Sequence, residues 1–274
     1  MPAIGQCELC LQKDAQLQES HFLSKGIYKI LRDRKAKNPN PFLITKTTSV
    51  QTSRQLKRYL FCQVCEDCLN RNGEAWVLKH CLQNDGRFPL ANVLALRDPN
   101  LQSPDNPTRV YYAAEIPEIR IPCLAYFAAS IFWRGSVYPW NEDGSTPVEL
   151  GPFQERFRRY LIGEESFPRE ACLWVAVREG KNVDRLTHVP MGVRRDGLHA
   201  YKFPMPGLAF TLIVGKNIPA KHRALCLVHG SGNPVVVTPI LEEWLAQGAA
   251  RLLQRVRTKA DFLYRRAALS VERR

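Results

Sequence analysis

The stretch YLFCQVC at 59–65 decides the fold of the N-terminal region, because it joins a short apolar strand to a Cys-x-x-Cys pair. A second pair with the same two-residue gap, CELC at 7–10, lies near the start of the chain. This gap lets one tight turn direct two thiolates at a single ion, at about 2.3 Å from each sulfur. We therefore expect one structural zinc ion at these pairs, although an iron–sulfur cluster would accept the same four thiolates. The predicted ligands are Cys7, Cys10, Cys62 and Cys65.

Cys68 is an alternative ligand, because its spacing from Cys65 repeats the same gap. We favour Cys62 with Cys65, since the apolar strand delivers Cys62 directly at a turn and Cys68 lies one helical turn further on. The cysteines at 81, 123, 172 and 226 stand singly among apolar residues, and we expect them to pack in the core.

Length and charge limit the classes of function. The 274 residues suit one large domain or two modest ones. The chain has 45% hydrophobic and 24% charged residues, ordinary values that exclude a wholly disordered protein. Lys and Arg number 39 against 26 Asp and Glu, which gives a formal net charge of +13. So large an excess favours a polyanionic partner, either nucleic acid or an anionic surface.

The sequence gives no sign of membrane insertion. No segment approaches the roughly 18 uninterrupted apolar residues that a spanning helix needs. The best candidate, Ile121 to Trp133, ends at Arg134. The N-terminus lacks the basic start and apolar stretch of a secretory signal. We expect a cytoplasmic protein without a membrane partner, whose nine cysteines stay reduced.

The pattern predicts an α+β fold in two domains. Residues 1–97 form the first, with a basic segment inserted between the cysteine pairs. Pro, Asn and Asp are concentrated at 98–108, which we interpret as a linker. Residues 109–274 form the second domain, whose role the sequence does not identify.

The second domain begins with helical patterns at 124–133 and 152–162. Apolar runs separated by Gly and Pro then indicate an antiparallel meander. These runs lie at 173–177, 199–203, 208–215, 223–230 and 234–239. From Pro239 onward the pattern predicts a long basic amphipathic helix, whose basic face meets nucleic acid or stays solvated.

A Ser-His dipeptide lies between the two cysteine pairs, within ESHFLSK at 19–25. The order C-x-x-C, then Ser-His, then a strand ending in C-x-x-C-Glu resembles the zinc-stapled HNH (His-Me finger) endonucleases over about residues 5–80. The resemblance implies a zinc-bound treble-clef, or ββα finger, in which a strand carries the histidine and a helix faces it. It also implies hydrolysis of phosphodiester bonds, with DNA rather than RNA as the expected partner and defence against foreign DNA as an expected role.

On this resemblance His21 is the general base and one Mg²⁺ or Mn²⁺ ion binds the scissile phosphate, while the zinc stays structural. The family commonly has Asp before the histidine, where this chain has Ser20, a far poorer metal ligand. The last motif position falls on Asn70, and Glu74, one turn later, is the expected source of the missing carboxylate. The middle Asn of the motif has no clear counterpart, although Ser53 and Gln55 occupy roughly that stretch.

Charge in the N-terminal region supports a nucleic-acid substrate. Residues 1–82 contain thirteen Lys and Arg against seven Asp and Glu. Part of this excess follows His21 closely, where it would neutralise phosphates. The predicted phosphate-binding residues are Lys25, Lys29, Arg32 and Arg34. Two readings stay open: an HNH-type nuclease, and a non-catalytic zinc module that binds nucleic acid or a protein. A protein partner or a homodimer formed through the C-terminal domain is equally open.

Overall fold

A computed structural model describes residues 3–238, with gaps at 33–36, 38, 45–48, 52, 54, 81–82, 84, 142–143, 179–186 and 196–197. The described part is a mixed α+β fold, as predicted. Its strands are β1 (Ala3–Gly5), β2 (Ala15–His21), β3 (Phe42–Ile44), β4 (Ser49–Gln51), β5 (Lys57–Cys62), β6 (Leu101–Ser103), β7 (Asn106–Tyr112), β8 (Ala171–Val177), β9 (Met191–Arg195), β10 (Leu198–Met205), β11 (Leu208–Val214) and β12 (Pro234–Val237). Its α-helices are α1 (Lys25–Leu31), α2 (Gln63–Leu69), α3 (Ala75–His80), α4 (Pro89–Ala95), α5 (Ile121–Val137), α6 (Phe153–Leu161) and α7 (Ala220–Arg223).

The N-terminal sheet has the order β1-β2-β5, with both pairs antiparallel. In this register Leu17 lies opposite Cys62 and His21 lies opposite Lys57, with an irregularity between Gln18 and Glu19. β5 contains the strand predicted at 59–61 and leads directly into α2. Each end of β2 is thus placed against a different end of β5, and the cysteine pair at 62–65 opens the helix.

A π-helical turn, Asn70–Glu74, joins α2 to α3, so that one continuous helix runs from 63 to 80. This helix packs closely on α5. A Cβ added to Gly73 would lie 2.9 Å from the backbone of Phe127, so only glycine permits this contact. Such single π-turns within α-helices occur frequently at functional sites.

The larger sheet has seven strands in the order β6-β7-β12-β8-β11-β10-β9. All pairs are antiparallel except β12 with β8, which is parallel, so the predicted simple meander is incomplete. The prediction of a strand at 223–230 is wrong, because this segment holds the end of α7 followed by turns. Pro219 is the N-cap of α7, and its carbonyl accepts hydrogen bonds from the N–H groups of His222 and Arg223, which close the first helical turn.

The linker expected at 98–108 is instead an ordered hairpin at the edge of the larger sheet. β6 and the first part of β7 fall in this segment, and the Pro, Asn and Asp residues form its turn and the start of β7. Buried side chains of the two halves also form one continuous apolar cluster, which includes Leu69 from α2 and Phe127 from α5. The second half therefore packs directly on the first.

The long C-terminal helix, predicted from residue 239, lies outside the described residues. Within the described part of the chain, no helix has the length and apolarity that crossing a bilayer requires.

Candidate metal centre and cleft

The four predicted cysteines come together in the structure. The Sγ atoms of Cys7, Cys10, Cys62 and Cys65 all lie within 4.8 Å of one another, and we call this set the cysteine cluster. The Sγ atoms of Cys10 and Cys62 are 3.9 Å apart. A tetrahedral ion bound at about 2.3 Å from each sulfur requires neighbouring sulfurs about 3.8 Å apart. The cluster therefore fits a metal ion such as zinc.

Main-chain groups and the second half of the chain brace this cluster. The backbone N–H of Cys62 donates to Cys7 Sγ at 3.4 Å. Hydrogen bonding from the Cys65 thiol, helped by backbone N–H groups, lowers the pKa of Cys7 to about 4 against the opposing effect of burial. On the outer side, Arg158 of α6 donates to the carbonyl of Leu9 at 2.8 Å. The first cysteine turn is thus fixed from both sides.

Cys68 does not join the cluster. Its Sγ lies 3.4 Å from the hydroxyl of Tyr126 and accepts a hydrogen bond from Asn72 Nδ2 at 3.2 Å. The remaining cysteines divide in burial: Cys172 and Cys226 are fully buried, as predicted, and Cys123 is half-buried. Cys81 lies outside the described residues.

His21, at the end of β2, lines a cleft of about 210 Å³ between this strand and the helix 63–80. The cleft brings His21 together with Asn70 and Glu74, the residues that the sequence analysis singled out on this helix. We call it the His21 cleft. Its lining residues are His21, Ser24, Lys25, Glu66, Asp67, Asn70, Glu74 and Arg134.

Glu74 is not a free carboxylate in this cleft. Its Oε1 atom lies 2.7 Å from Arg134 Nη2, and the side chains are 9% and 2% exposed. The pair is held by charge rather than by a well-aligned hydrogen bond, since Oε1 has no hydrogen-bond partner among the residues that the structure describes. Because Arg134 neutralises it, Glu74 is poorly suited to the ligand role that the sequence suggested.

Glu66 is a further carboxylate of this cleft, and the sequence analysis did not single it out. Its Oε1 atom is buried and has no hydrogen-bond partner in the described part of the chain, and the same holds for Ser24 Oγ. The sequence analysis gave Glu66 no role beyond marking the end of the C-x-x-C-Glu pattern. The available signal was its spacing, because Glu66 lies four residues before Asn70 and thus on the same helix face.

Ser20 faces away from the cleft. It is 2% exposed, and its hydroxyl donates to the carbonyl of Gln18 at 3.3 Å. Adjacent side chains of a strand point to opposite faces. The side chain of Ser20 therefore points into the core, and that of His21 points into the cleft. The position that the resembled family fills with Asp therefore offers no ligand here.

A wider groove of about 530 Å³ continues from His21 along the sheet. Among the described residues its lysines are Lys25 and Lys57, and Lys57 Nζ lies 2.8 Å from Glu19 Oε2. Lys57 was not among the predicted phosphate ligands. Ser53 and Gln55, placed near the missing motif Asn, also line this groove. We call it the Lys25–Lys57 groove.

The other predicted basic residues lie further from His21. Lys29 is exposed on α1, one turn beyond Lys25, and Arg32 is exposed at the end of the same helix. Arg34 is outside the described residues. Neither Lys29 nor Arg32 lines the cleft or the groove.

Comparison with protein-family models, with curated proteins and with solved structures finds no match. A function for this chain must therefore be argued from its own residues and their geometry.

Proposed function

We propose that this chain is a metal-dependent nuclease of the HNH (His-Me finger) type, which hydrolyses phosphodiester bonds of DNA. The observation that carries the proposal is the meeting of His21, Asn70 and the unpaired Glu66 in one cleft beside a four-cysteine cluster. The arrangement of β2, β5 and α2 supports the same reading, because two antiparallel strands followed by a helix make up the ββα finger. In this proposal the cysteine cluster holds zinc in a structural role.

Glu66 and Asn70 are the side chains suited to hold the catalytic cation. The unpaired oxygen of Glu66 and the amide oxygen of Asn70 are hard ligands of the kind that Mg²⁺ and Mn²⁺ prefer. Bound there, a divalent ion would stabilise the charge that develops on the phosphate and the leaving oxygen. With one carboxylate in the cleft unpaired, we expect weak metal affinity and a need for millimolar Mg²⁺ or for Mn²⁺.

His21 is the group that accepts a proton from the attacking water. Imidazole suits this task near neutral pH. Within the described residues its ring has a tilted contact with Tyr28, with the centroids 6.4 Å apart, and no hydrogen-bond partner. A ring nitrogen is therefore available to water. Lys25 and Lys57 flank His21 along the groove and would hold the flanking phosphates.

The decisive experiment compares cleavage of plasmid DNA by wild type and by His21→Ala, with Mg²⁺ and with Mn²⁺. Loss of a general base costs roughly 10²–10⁴-fold in rate, so we expect His21→Ala to fall in that range with unchanged zinc content. His199→Ala is the matched control, because His199 is exposed on β10 away from the cleft. Undiminished cleavage by His21→Ala would refute this active site.

A second candidate is a zinc module that binds DNA without cutting it. The orientation of Ser20 favours it, because the chain has no ligand at the position where the resembled nucleases place an Asp. Salt-dependent DNA binding, with no cleavage by wild type across divalent cations, would select this candidate.

A further inference from the structure

Arg134 is a buried cation in an apolar helix. It is the one charged residue of α5 and is 2% exposed. Burial of a guanidinium is costly unless its charge and donors are used, and an apolar side chain of similar size would often stabilise the fold equally well. The presence of Arg134 at the wall of the His21 cleft therefore calls for an account beyond packing.

The guanidinium joins the two sides of the cleft. Nη1 donates to the main-chain carbonyls of His21 and Phe22, each at 3.2 Å, and Nη2 pairs with Glu74 at 2.7 Å. The first two contacts hold the end of β2, and the third holds the π-turn of the helix. One planar group from the second half of the chain thus sets the distance between the strand and the helix.

His21 depends on this support because its own side chain is not tethered. Its imidazole has no hydrogen-bond partner in the described part of the chain, so its direction is set by the main chain beneath it. Pairing of β2 with β5 ends at His21 and Lys57, and the next bond along, from Phe22 N–H to the carbonyl of Leu56, lies beyond the strand. The carbonyls bound by Arg134 lie at this strand end.

We infer that Arg134 is a positioning residue: it fixes the main chain at His21 against the helix, and it neutralises Glu74, so that Glu66 is the buried carboxylate left to bind a cation. The catalytic side of this inference rests on the proposed nuclease function. The inference makes the second half of the chain part of the site, since α5 contributes a contact that the N-terminal unit does not contain.

The test replaces both charges at once, as Arg134→Met with Glu74→Gln, so that no buried charge is left unpaired. We expect kcat to fall about 10–100-fold, because small misplacement of a reacting group has effects of this size, while KM, DNA affinity and zinc content stay near wild type. The matched control removes an exposed pair, as Arg97→Met with Glu118→Gln, and should leave kcat unchanged. Arg134→Lys, with Glu74 unchanged, keeps the positive charge but cannot reach all three acceptors. We therefore expect its stability to be near that of wild type and its kcat to be as low as that of the double variant.

A second measurement does not need activity. Hydrogen exchange at the amides of residues 21–23 should accelerate in the double variant, while exchange at 15–18 stays as in wild type. If wild type proves inactive, the nuclease proposal fails, and this exchange pattern still decides whether Arg134 fixes the strand end. Unchanged exchange, or a kcat equal to that of wild type in the double variant, would overturn the inference. A kcat equal to that of wild type in Arg134→Lys would also overturn the inference, because it would show that the positive charge alone is sufficient.

Discussion

The cysteine cluster and the His21 cleft share strand β2 and the helix 63–80, yet their polar atoms are paired very differently. Each cluster sulfur has the other three within 4.8 Å, and Cys7 Sγ also accepts a backbone N–H. In the cleft, Ser24 Oγ and Glu66 Oε1 are buried without a hydrogen-bond partner in the described residues. A buried polar atom left unpaired costs about 1–3 kcal/mol, so each such atom calls for an explanation, of which a bound ion or water is one.

The difference shows two ways of building a site. The cluster comes from two tight turns, each defined by neighbouring residues, and one metal ion would satisfy all four sulfurs. The cleft needs a strand end, the first turn of α1, a π-turn and Arg134 from α5. Its chemistry depends on how separate elements pack. Changes to the cluster, and to the buried pair of Arg134 with Glu74, should therefore act on folding, whereas changes to His21 or Glu66 should act first on ligand binding and rate.

Breaking the cluster should produce the largest effect. We expect Cys62→Ser to lose stoichiometric zinc and to unfold the N-terminal region, because structural zinc contributes about 10–16 kcal/mol of binding free energy in small finger domains. Elemental analysis and thermal unfolding measure both. Cys68→Ser is the control and should keep one zinc per chain, since Cys68 lies outside the cluster. If Cys62→Ser kept its zinc and Cys68→Ser lost it, the fourth ligand would be Cys68 and not Cys62.

Breaking the buried ion pair from one side should rank second. Glu74→Ala leaves the guanidinium of Arg134 buried and unpaired, and we expect a loss of about 3–5 kcal/mol in the free energy of unfolding. Urea denaturation measures it, and zinc content should not change. Addition of Arg134→Met to Glu74→Ala should restore part of the loss. A single variant as stable as wild type would mean that the pair is solvated.

Removal of the unpaired carboxylate should act on cation binding and not on folding. We expect Glu66→Gln to weaken Mn²⁺ affinity about tenfold or more, equivalent to about 1.4 kcal/mol, with unfolding free energy unchanged or slightly raised. Titration followed by electron paramagnetic resonance measures the affinity. Asp67→Asn is the matched control, because Asp67 is exposed and already accepts a hydrogen bond from Gln63. An equal loss of Mn²⁺ affinity in both variants would show that Glu66 acts only through its negative charge and not as a ligand.

The smallest effect is expected at the exposed pair beside the groove. A hydrogen bond from Lys57 holds the pKa of Glu19 below its usual range. The pair therefore stabilises the fold above the unfolded pKa of Glu, about 4.3, and this contribution is lost as the pH falls further. Both side chains are exposed, so Glu19→Gln should lower the Tm only slightly at pH 7 and converge with wild type in acid. A difference in Tm that persists in acid would contradict this.

Much of the local structure could be predicted from the sequence. The strand at 59–61 and the helix around 124–133 are marked by continuous apolar runs, and the helix around 152–162 by amphipathic periodicity; the structure contains all three. The prediction of a strand at 223–230 was wrong because Cys226 and Leu227 are buried there without forming a strand, with Cys226 in a cluster that also includes Trp174. The hairpin at 98–108 was missed because turn residues and linker residues have the same composition.

The site was predictable only where its residues are neighbours in sequence. Two Cys-x-x-Cys pairs indicate one cluster, and the position of His21 between them indicates its importance. The choice between Glu66 and Glu74 depends on Arg134, which lies sixty residues beyond Glu74 and has no local signal for its partner. The π-turn could not be predicted either, since the sequence NRNGE at 70–74 resembles an ordinary polar helix segment.

The contact between Gly73 and Phe127 has a mechanical consequence. Where side chains separate two helices, changes of rotamer can accommodate small shifts. Here the main chains of the two helices are in close contact at Gly73 and Phe127, so no side chain can adjust between them. Any side chain larger than hydrogen at position 73 would therefore force the two helices apart and alter the gap between the helix 63–80 and β2. Phe127 also contacts Phe210 of β11, so α5 connects the helix that lines the His21 cleft to the seven-stranded sheet.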